Sequence, residues 1–98
     1  RDELFAGAAY WIGREPDNLD AGLRCNAKIR YRQSDQGCTV HRTLVDRIMV
    51  RFDEPQRAAA PGQFIVFYQG DRCLGGAVIE VLGKPETAAR YVAEPAIS

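Results

Sequence analysis

Leu23-Arg24-Cys25-Asn26-Ala27-Lys28-Ile29-Arg30-Tyr31-Arg32 alternates apolar and polar side chains without a break. Leu23, Cys25, Ala27, Ile29 and Tyr31 fall on one face of an extended chain. Arg24, Asn26, Lys28, Arg30 and Arg32 fall on the other. Strict period-two alternation over this length predicts a half-buried β-strand whose polar face is positively charged. Ser34-Asp35-Gln36-Gly37 then reads as a hairpin turn, with glycine supplying a positive-φ position. Cys38 to Leu44 returns as a second strand. A further turn near Val45-Asp46 leads to Arg47–Phe52, where Ile48, Val50 and Phe52 alternate with Arg47, Met49 and Arg51.

The pattern extends outward on both sides. Phe5 to Ile12 (FAGAAYWI) is an apolar run that reads as a strand or a strand–turn entry, and Glu15 to Gly22 is a polar loop rich in turn formers. Asp53 to Gly62 is a loop with two prolines. Gln63 to Gln69 (QFIVFYQ) is dense in β-branched and aromatic residues, which predicts a strand buried on both faces. Gly70-Asp71 makes a tight turn into a long last strand, Arg72 to Leu82, with Gly75-Gly76 in mid-run predicting a bulge or a barrel corner. Glu86 to Ala93, between Pro85 and Pro95, has at most weak helical character. Six short strands in one small chain predict an all-β fold, a closed six-stranded antiparallel β-barrel, because closure removes the exposed edges. The expected division is a barrel over residues 1–83 and a flexible or weakly helical tail over 84–98.

The chain has 98 residues, 46% of them hydrophobic and 27% charged, the mixture of one ordinary domain. No apolar run approaches the roughly 18 residues of a membrane-spanning helix, so no membrane association is expected. Thirteen basic residues balance thirteen acidic ones, so any nucleic-acid partner must be met by a local patch rather than by net charge. Eleven of the basic residues are Arg, the side chain suited to planar recognition of phosphate or carboxylate. The chain opens on Arg1 with no signal-peptide plan, and it reads as a piece of a longer cytoplasmic protein.

Catalytic signatures are absent from the sequence: no dinucleotide-binding glycine fingerprint, no P-loop, no nucleophile elbow. Cys25, Cys38 and Cys73 contain no C-x-x-C pair and read as small buried hydrophobes in a reduced compartment. His41, three residues from Cys38 on a strand, points to the opposite face, which argues against a Cys–His pair. Asp53-Glu54 reads as a solvated loop pair. Neither catalytic residues nor a metal site are expected in this stretch. The stripe Arg24, Lys28, Arg30, Arg32 carries the most information. Its side chains recur every 6 to 7 Å or so, comparable to the phosphate repeat of a nucleic-acid strand. The alternative is a solvated barrel face whose cations pair with acids on neighbouring strands.

Several segments run in an order that is itself informative: Ala27-Lys28-Ile29-Arg30-Tyr31-Arg32-Gln33, Cys38-Thr39-Val40, Phe52-Asp53-Glu54-Pro55-Gln56-Arg57-Ala58, Pro61-Gly62-Gln63 with Val66-Phe67-Tyr68, and Cys73-Leu74-Gly75-Gly76. Over roughly Ala9 to Ile79 this resembles the C-terminal domain of the tRNA-specific 2-thiouridylases. The resemblance implies a six-stranded barrel similar to domain 2 of translation elongation factors. It further implies a parent enzyme, a tRNA-uridine 2-sulfurtransferase, that uses ATP with Mg in a separate catalytic domain to thiolate the wobble uridine. A sulfur-relay protein would supply the sulfur, and the barrel would help hold the tRNA near its anticodon arm. The family's S-G-G-x-D-S nucleotide motif is absent from this stretch, so no cofactor is expected here. By resemblance, Arg30 and Tyr31, with Gln63, are the tRNA-binding residues, and Arg24, Lys28 and Arg32 are candidate phosphate contacts. The isolated barrel is expected to be a monomer.

Pro61-Gly62-Gln63-Phe64 is also similar to a motif of flavin-binding barrels of the ferredoxin-reductase type. Arg30-Tyr31-Arg32-Gln33 lacks the R-x-Y-[ST] spacing and hydroxyl of those proteins. A purely structural barrel is the remaining alternative.

Overall fold

The structure is a computed structural model that describes residues 3–29, 35–43, 47–54 and 60–82. Seven strands follow in chain order: β1 (Glu3–Ala6), β2 (Tyr10–Trp11), β3 (Leu23–Lys28), β4 (Gln36–Arg42), β5 (Ile48–Phe52), β6 (Phe64–Gln69) and β7 (Arg72–Leu82). No helix occurs among the described residues. Every pairing is antiparallel, in the order β1-β5-β4-β3-β6-β7, and β7 closes back onto β1. The six-stranded barrel expected from the sequence is therefore present, with the two-residue β2 as a seventh strand on β7.

Strand β7 organises the closure. One edge carries β6; the other carries β1 toward its C-terminal end (Leu4↔Leu82, Ala6↔Ile79) and β2 toward its N-terminal end (Tyr10↔Gly76, Trp11↔Gly75). The single apolar run Phe5–Ile12 is thus two strands laid end to end along one edge. Between them the ladder is sustained by Gly7 N–H donating to Val78 O at 3.0 Å, and beyond them by Ile12 N–H donating to Leu74 O at 2.9 Å.

The core follows from period two. Leu23, Cys25 and Ala27 of β3, Cys38 and Val40 of β4, Ile48, Val50 and Phe52 of β5, and Ile65 and Phe67 of β6 all point inward, joined by Leu4, Ala6, Leu74, Ala77 and Ile79. Trp11 stacks on Phe67 with ring centroids 5.8 Å apart. Leu19, the lone large apolar residue of the 15–22 loop, is fully buried, and its carbonyl accepts from Arg42 N–H at 3.2 Å.

Three sequence expectations are corrected. Strand β6 is not buried on both faces: Phe64 is 52% exposed, while Val66 and Tyr68 are half-buried. A closed barrel has one interior, and burial of the second face needs a covering layer. Gln36 and Gly37, expected in a turn, belong instead to strand β4, where they pair with Ala27 and Asn26 in the β3–β4 ladder. Strand β3 ends at Lys28, so that Ile29, expected within the strand, lies beyond it. Arg30, Tyr31, Arg32, the turn at Val45-Asp46 and the tail expected over 84–98 lie outside the described residues.

The glycine pair behaves as its position predicts. The β6–β7 register passes from Tyr68↔Cys73 to Phe67↔Gly75, leaving Leu74 as the extra residue of a bulge. Gly75 sits at φ 152°, with β2 passing directly over it. A Cβ there would overlap the Tyr10 carbonyl oxygen and lie 2.9 Å from Trp11 Cα, neither of which can move without breaking the β2 pairing. Gly75→Ala is expected to cost about 2–4 kcal/mol, combining overpacking with backbone strain. Gly13→Ala, at φ 76° but with nothing within 4 Å of its Cβ, should cost only about 1 kcal/mol. Urea unfolding midpoints at constant m-value check the contrast, and equal losses would refute it.

Candidate nucleic-acid interface

Alternation puts Arg24, Asn26 and Lys28 on the outer face of β3. Arg24 does not project freely. Its two terminal nitrogens fork onto Asp53, Nη1 to Oδ1 at 2.7 Å and Nη2 to Oδ2 at 2.8 Å, and Nη1 also donates to Thr39 Oγ1 at 3.1 Å. The register makes this possible: Arg24 lies opposite Thr39 on β4, Thr39 opposite Arg51 on β5, and Asp53 follows the end of β5. Gly37 leaves the room, since a Cβ there would run into the Asp53 carboxylate. Asp53 N–H donates to Gly37 O at 3.0 Å, fixing the acid over β4. The Asp53 hydrogen bond and charge raise the Arg24 pKa further above its ordinary value. The same Arg24 hydrogen bond and charge hold the Asp53 carboxyl below the usual carboxylate range.

Lys28, two positions past Asn26 on the same face, reaches Asp35 at 3.3 Å and lies 5.8 Å from the centre of the Tyr68 ring. The two described cations of the expected stripe are therefore each matched by a carboxylate. The same holds elsewhere on the barrel: Arg42 pairs with Glu15 and with Asp20, Arg47 with Glu80 at 3.1 Å, and Arg51 with Glu3 at 2.5 Å. Asp53, read from sequence as a solvated loop acid, is the partner that reasoning missed. No local signal marks it, because the partner lies 29 residues away on another strand.

Gln63 immediately precedes β6, at the end of the barrel where β3 finishes, as the Lys28↔Val66 register requires. Its backbone carbonyl accepts from Ile79 N–H at 2.8 Å, and its side-chain Oε1 is buried with no hydrogen-bond partner among the described residues. At the opposite end, Arg72 opens β7 and lines a cavity of about 220 Å³ with Arg14, Asn18, Leu23, Gln69 and Leu74. Arg72 has no ion pair among the described residues, whereas Arg14 is held by Asp17 at 3.3 Å. Sequence reasoning passed over Arg72 because it belongs to no stripe.

The buried thiols behave as the fold dictates. Cys38 faces the core and His41 the outside, so no Cys–His pair forms. Cys25 and Cys38 are direct cross-strand neighbours with sulfurs 3.7 Å apart. The hydrogen bond between them and burial push the Cys38 thiol up, while the same hydrogen bond, with help from Arg24, draws Cys25 down against its burial.

The Arg24–Asp53 pair gives a signed pH prediction. Asp53 titrates lower when folded than unfolded, so its contribution is present above the unfolded value of about 4 and is lost as pH falls through the depressed folded value. Asp53→Asn should destabilise the chain at pH 7, and the difference should shrink steadily as pH falls below about 4. Urea unfolding of both proteins over a pH series from 7 down into acid checks this, and a gap that does not narrow with falling pH would refute it.

Comparison with known proteins identifies the architecture. Residues 1–79 match the aminomethyltransferase β-barrel domain family. The tRNA-specific 2-thiouridylase MnmA of Pseudomonas fluorescens is 55% identical over 78 residues, covering 80% of this chain and 20% of that protein. The Klebsiella pneumoniae protein of the same name is 54% identical over 77 residues, covering 79% of this chain and 20% of its own length. That of Methylococcus capsulatus is 50% identical over 84 residues, covering 83% and 22%. The chain spans about a fifth of the length of these relatives. The likeness carried by the ordered motifs from Ala27 to Gly76 is borne out, and the chain belongs to the aminomethyltransferase β-barrel domain family in the form found at the C-terminus of tRNA-specific 2-thiouridylases.

Proposed function

We propose that this barrel is the tRNA-holding accessory domain of an ATP-dependent sulfurtransferase that 2-thiolates the wobble uridine. The observation that carries the proposal is the 55% identity to a tRNA-specific 2-thiouridylase along almost the whole barrel. On this reading Arg30 and Tyr31 contact the RNA, Gln63 lends a side-chain amide, and Arg24, Lys28 and Arg32 supply phosphate contacts. ATP with Mg and the sulfur relay belong to the rest of a longer cytoplasmic enzyme, and the barrel itself is monomeric. Relatives named as thiouridylases weigh against a flavin-binding role.

Physical chemistry sets how such contacts would act. An Arg fork suits a phosphate or ribose edge, and a Tyr ring can stack on an unpaired base or donate its hydroxyl. Backbone contacts position an RNA without choosing its sequence. Arg24 meets a phosphate only by sharing or leaving Asp53, whose carboxylate already fills its fork. Arg24 and Lys28 are therefore weaker contributors on this reading than Arg30.

A second reading rests on a specific observation: the ion pairs of Arg24 and Lys28 make β3 a self-neutralised outer wall, and the barrel a scaffold only. Anisotropy titration of labelled tRNA with this 98-residue chain separates the two. On the RNA-holding reading, Arg30→Ala with Tyr31→Ala weakens binding of every cognate tRNA alike. It also reduces the log–log salt slope by roughly 0.7–0.9 for the lost phosphate contact. In a full-length thiouridylase carrying these residues, the double change should raise KM for tRNA and leave KM for ATP unchanged. Unchanged affinity and slope in a folded variant would support the scaffold reading instead.

A further inference from the structure

Cys25 and Cys38 share more than burial. They are Cα partners in the β3–β4 ladder, with Ala27↔Gln36 on one side and Leu23↔Val40 on the other. Their sulfurs are 3.7 Å apart, and both side chains point into the core, at 7% and 0% exposure. Directly opposed residues in an antiparallel pair have Cα atoms about 4.5 or 5.5 Å apart, and both separations lie inside the range a disulfide spans. A bonded pair of sulfurs sits at about 2.05 Å, so closing the gap needs side-chain rotation and no change of register. Cys73 lies elsewhere, on β7 opposite Tyr68, and is half-buried.

The two thiols are not equivalent. Cys25 is among the residues lining a surface depression, with Arg24, Asn26, Tyr68, Gln69 and Gly70, and it retains 7% exposure although its sulfur faces inward. Cys38 lies behind it with no exposure. The hydrogen bond with Cys38, and to a lesser degree the charge of Arg24, which Asp53 partly offsets, favour the thiolate at Cys25. A core thiol serving only as a small hydrophobe needs neither a facing thiol nor a cation nearby.

We propose that Cys25 and Cys38 form a dithiol modification site that reduces a small-molecule disulfide and closes into a cross-strand disulfide between β3 and β4. Cys25, as thiolate, attacks one sulfur of the reagent, forming a mixed disulfide and expelling one thiolate. Cys38 gives its proton to that departing thiolate, and its sulfur attacks Cys25 Sγ, expelling the second thiolate, which takes a proton from water. Two protein thiols are oxidised, and one reagent disulfide becomes two thiols.

The test exposes the native 98-residue chain to oxidised glutathione at mildly alkaline pH, followed by mass spectrometry. The expected product is lighter by two hydrogen atoms, apart from any glutathione on Cys73, and its digest links the peptides containing residues 25 and 38. Dithiothreitol should reverse it. Closing a loop of this length should raise Tm by on the order of 10 °C. Cys38→Ala should accumulate the mixed disulfide at Cys25, whereas Cys25→Ala should leave Cys38 unmodified. Cys73→Ser should not alter the reaction of the pair. Recovery of Cys25 and Cys38 as free thiols from oxidised native protein, with glutathione on Cys73 alone, would overturn the proposal without recourse to any variant.

Discussion

The whole arrangement depends on the hydrogen-bonded closure of β7 against β1. An antiparallel sheet of six short strands, left open, would expose two unpaired edges and an uncovered apolar face. Joining Leu4–Ala6 to Ile79–Leu82 removes both edges and turns one face of every strand into a single interior. Everything else is subordinate to that junction. The bulge at Leu74 lets β7 change register against β6; Gly75 lets β2 pair where a side chain would block it, and Gly76 leaves room for the Ile65 carbonyl and the Phe64 ring of β6. Trp11 is thereby delivered onto Phe67, and with Leu19 it packs against the same interior.

The outer wall obeys a different rule. With acidic and basic residues in equal number, the barrel spreads its guanidinium groups among carboxylates, and most described arginines meet an acid within hydrogen-bonding distance. Exposed pairs of this kind contribute little to stability, but they decide how much positive potential reaches a ligand. A stripe that looks like a rail for phosphates in one dimension becomes, across β3, β4 and the end of β5, a set of local dipoles. Arg72, outside any stripe, keeps its charge to itself among the described residues.

The strands were legible in the sequence wherever one face is wet and the other dry. The alternation from Leu23 to Lys28, the return through Cys38 and Val40, and the run Ile48–Phe52 all carry that mark. The glycine pair advertised its bulge. Legibility failed where the answer depends on how many layers cover a strand: the Phe64–Gln69 composition is that of a doubly buried strand, yet Phe64 faces outward. It failed too where two distant segments share an edge, as β1 and β2 do along β7. In the candidate site, Arg24 and Lys28 were read correctly as outward cations. Their partners Asp53 and Asp35 were not, because pairing is fixed by register across strands rather than by spacing along one. The facing of Cys25 and Cys38 was hidden for the same reason. Arg30 and Tyr31 came from motif likeness.

The junction between β1 and β7 joins residues from opposite ends of the described chain, and this has a kinetic cost. A contact between Leu4 and Leu82 closes a loop as long as the barrel itself, while the β3–β4 and β6–β7 hairpins close short ones. Local hairpins form in microseconds, but pairings of long sequence separation come late and set the overall rate. During biosynthesis the first strand can pair with β5, but its other edge must wait for the last strand and stays unpaired until residue 82 has emerged. In that interval the nascent barrel has two sticky edges, and it is then that the chain is most open to joining a neighbour instead of itself.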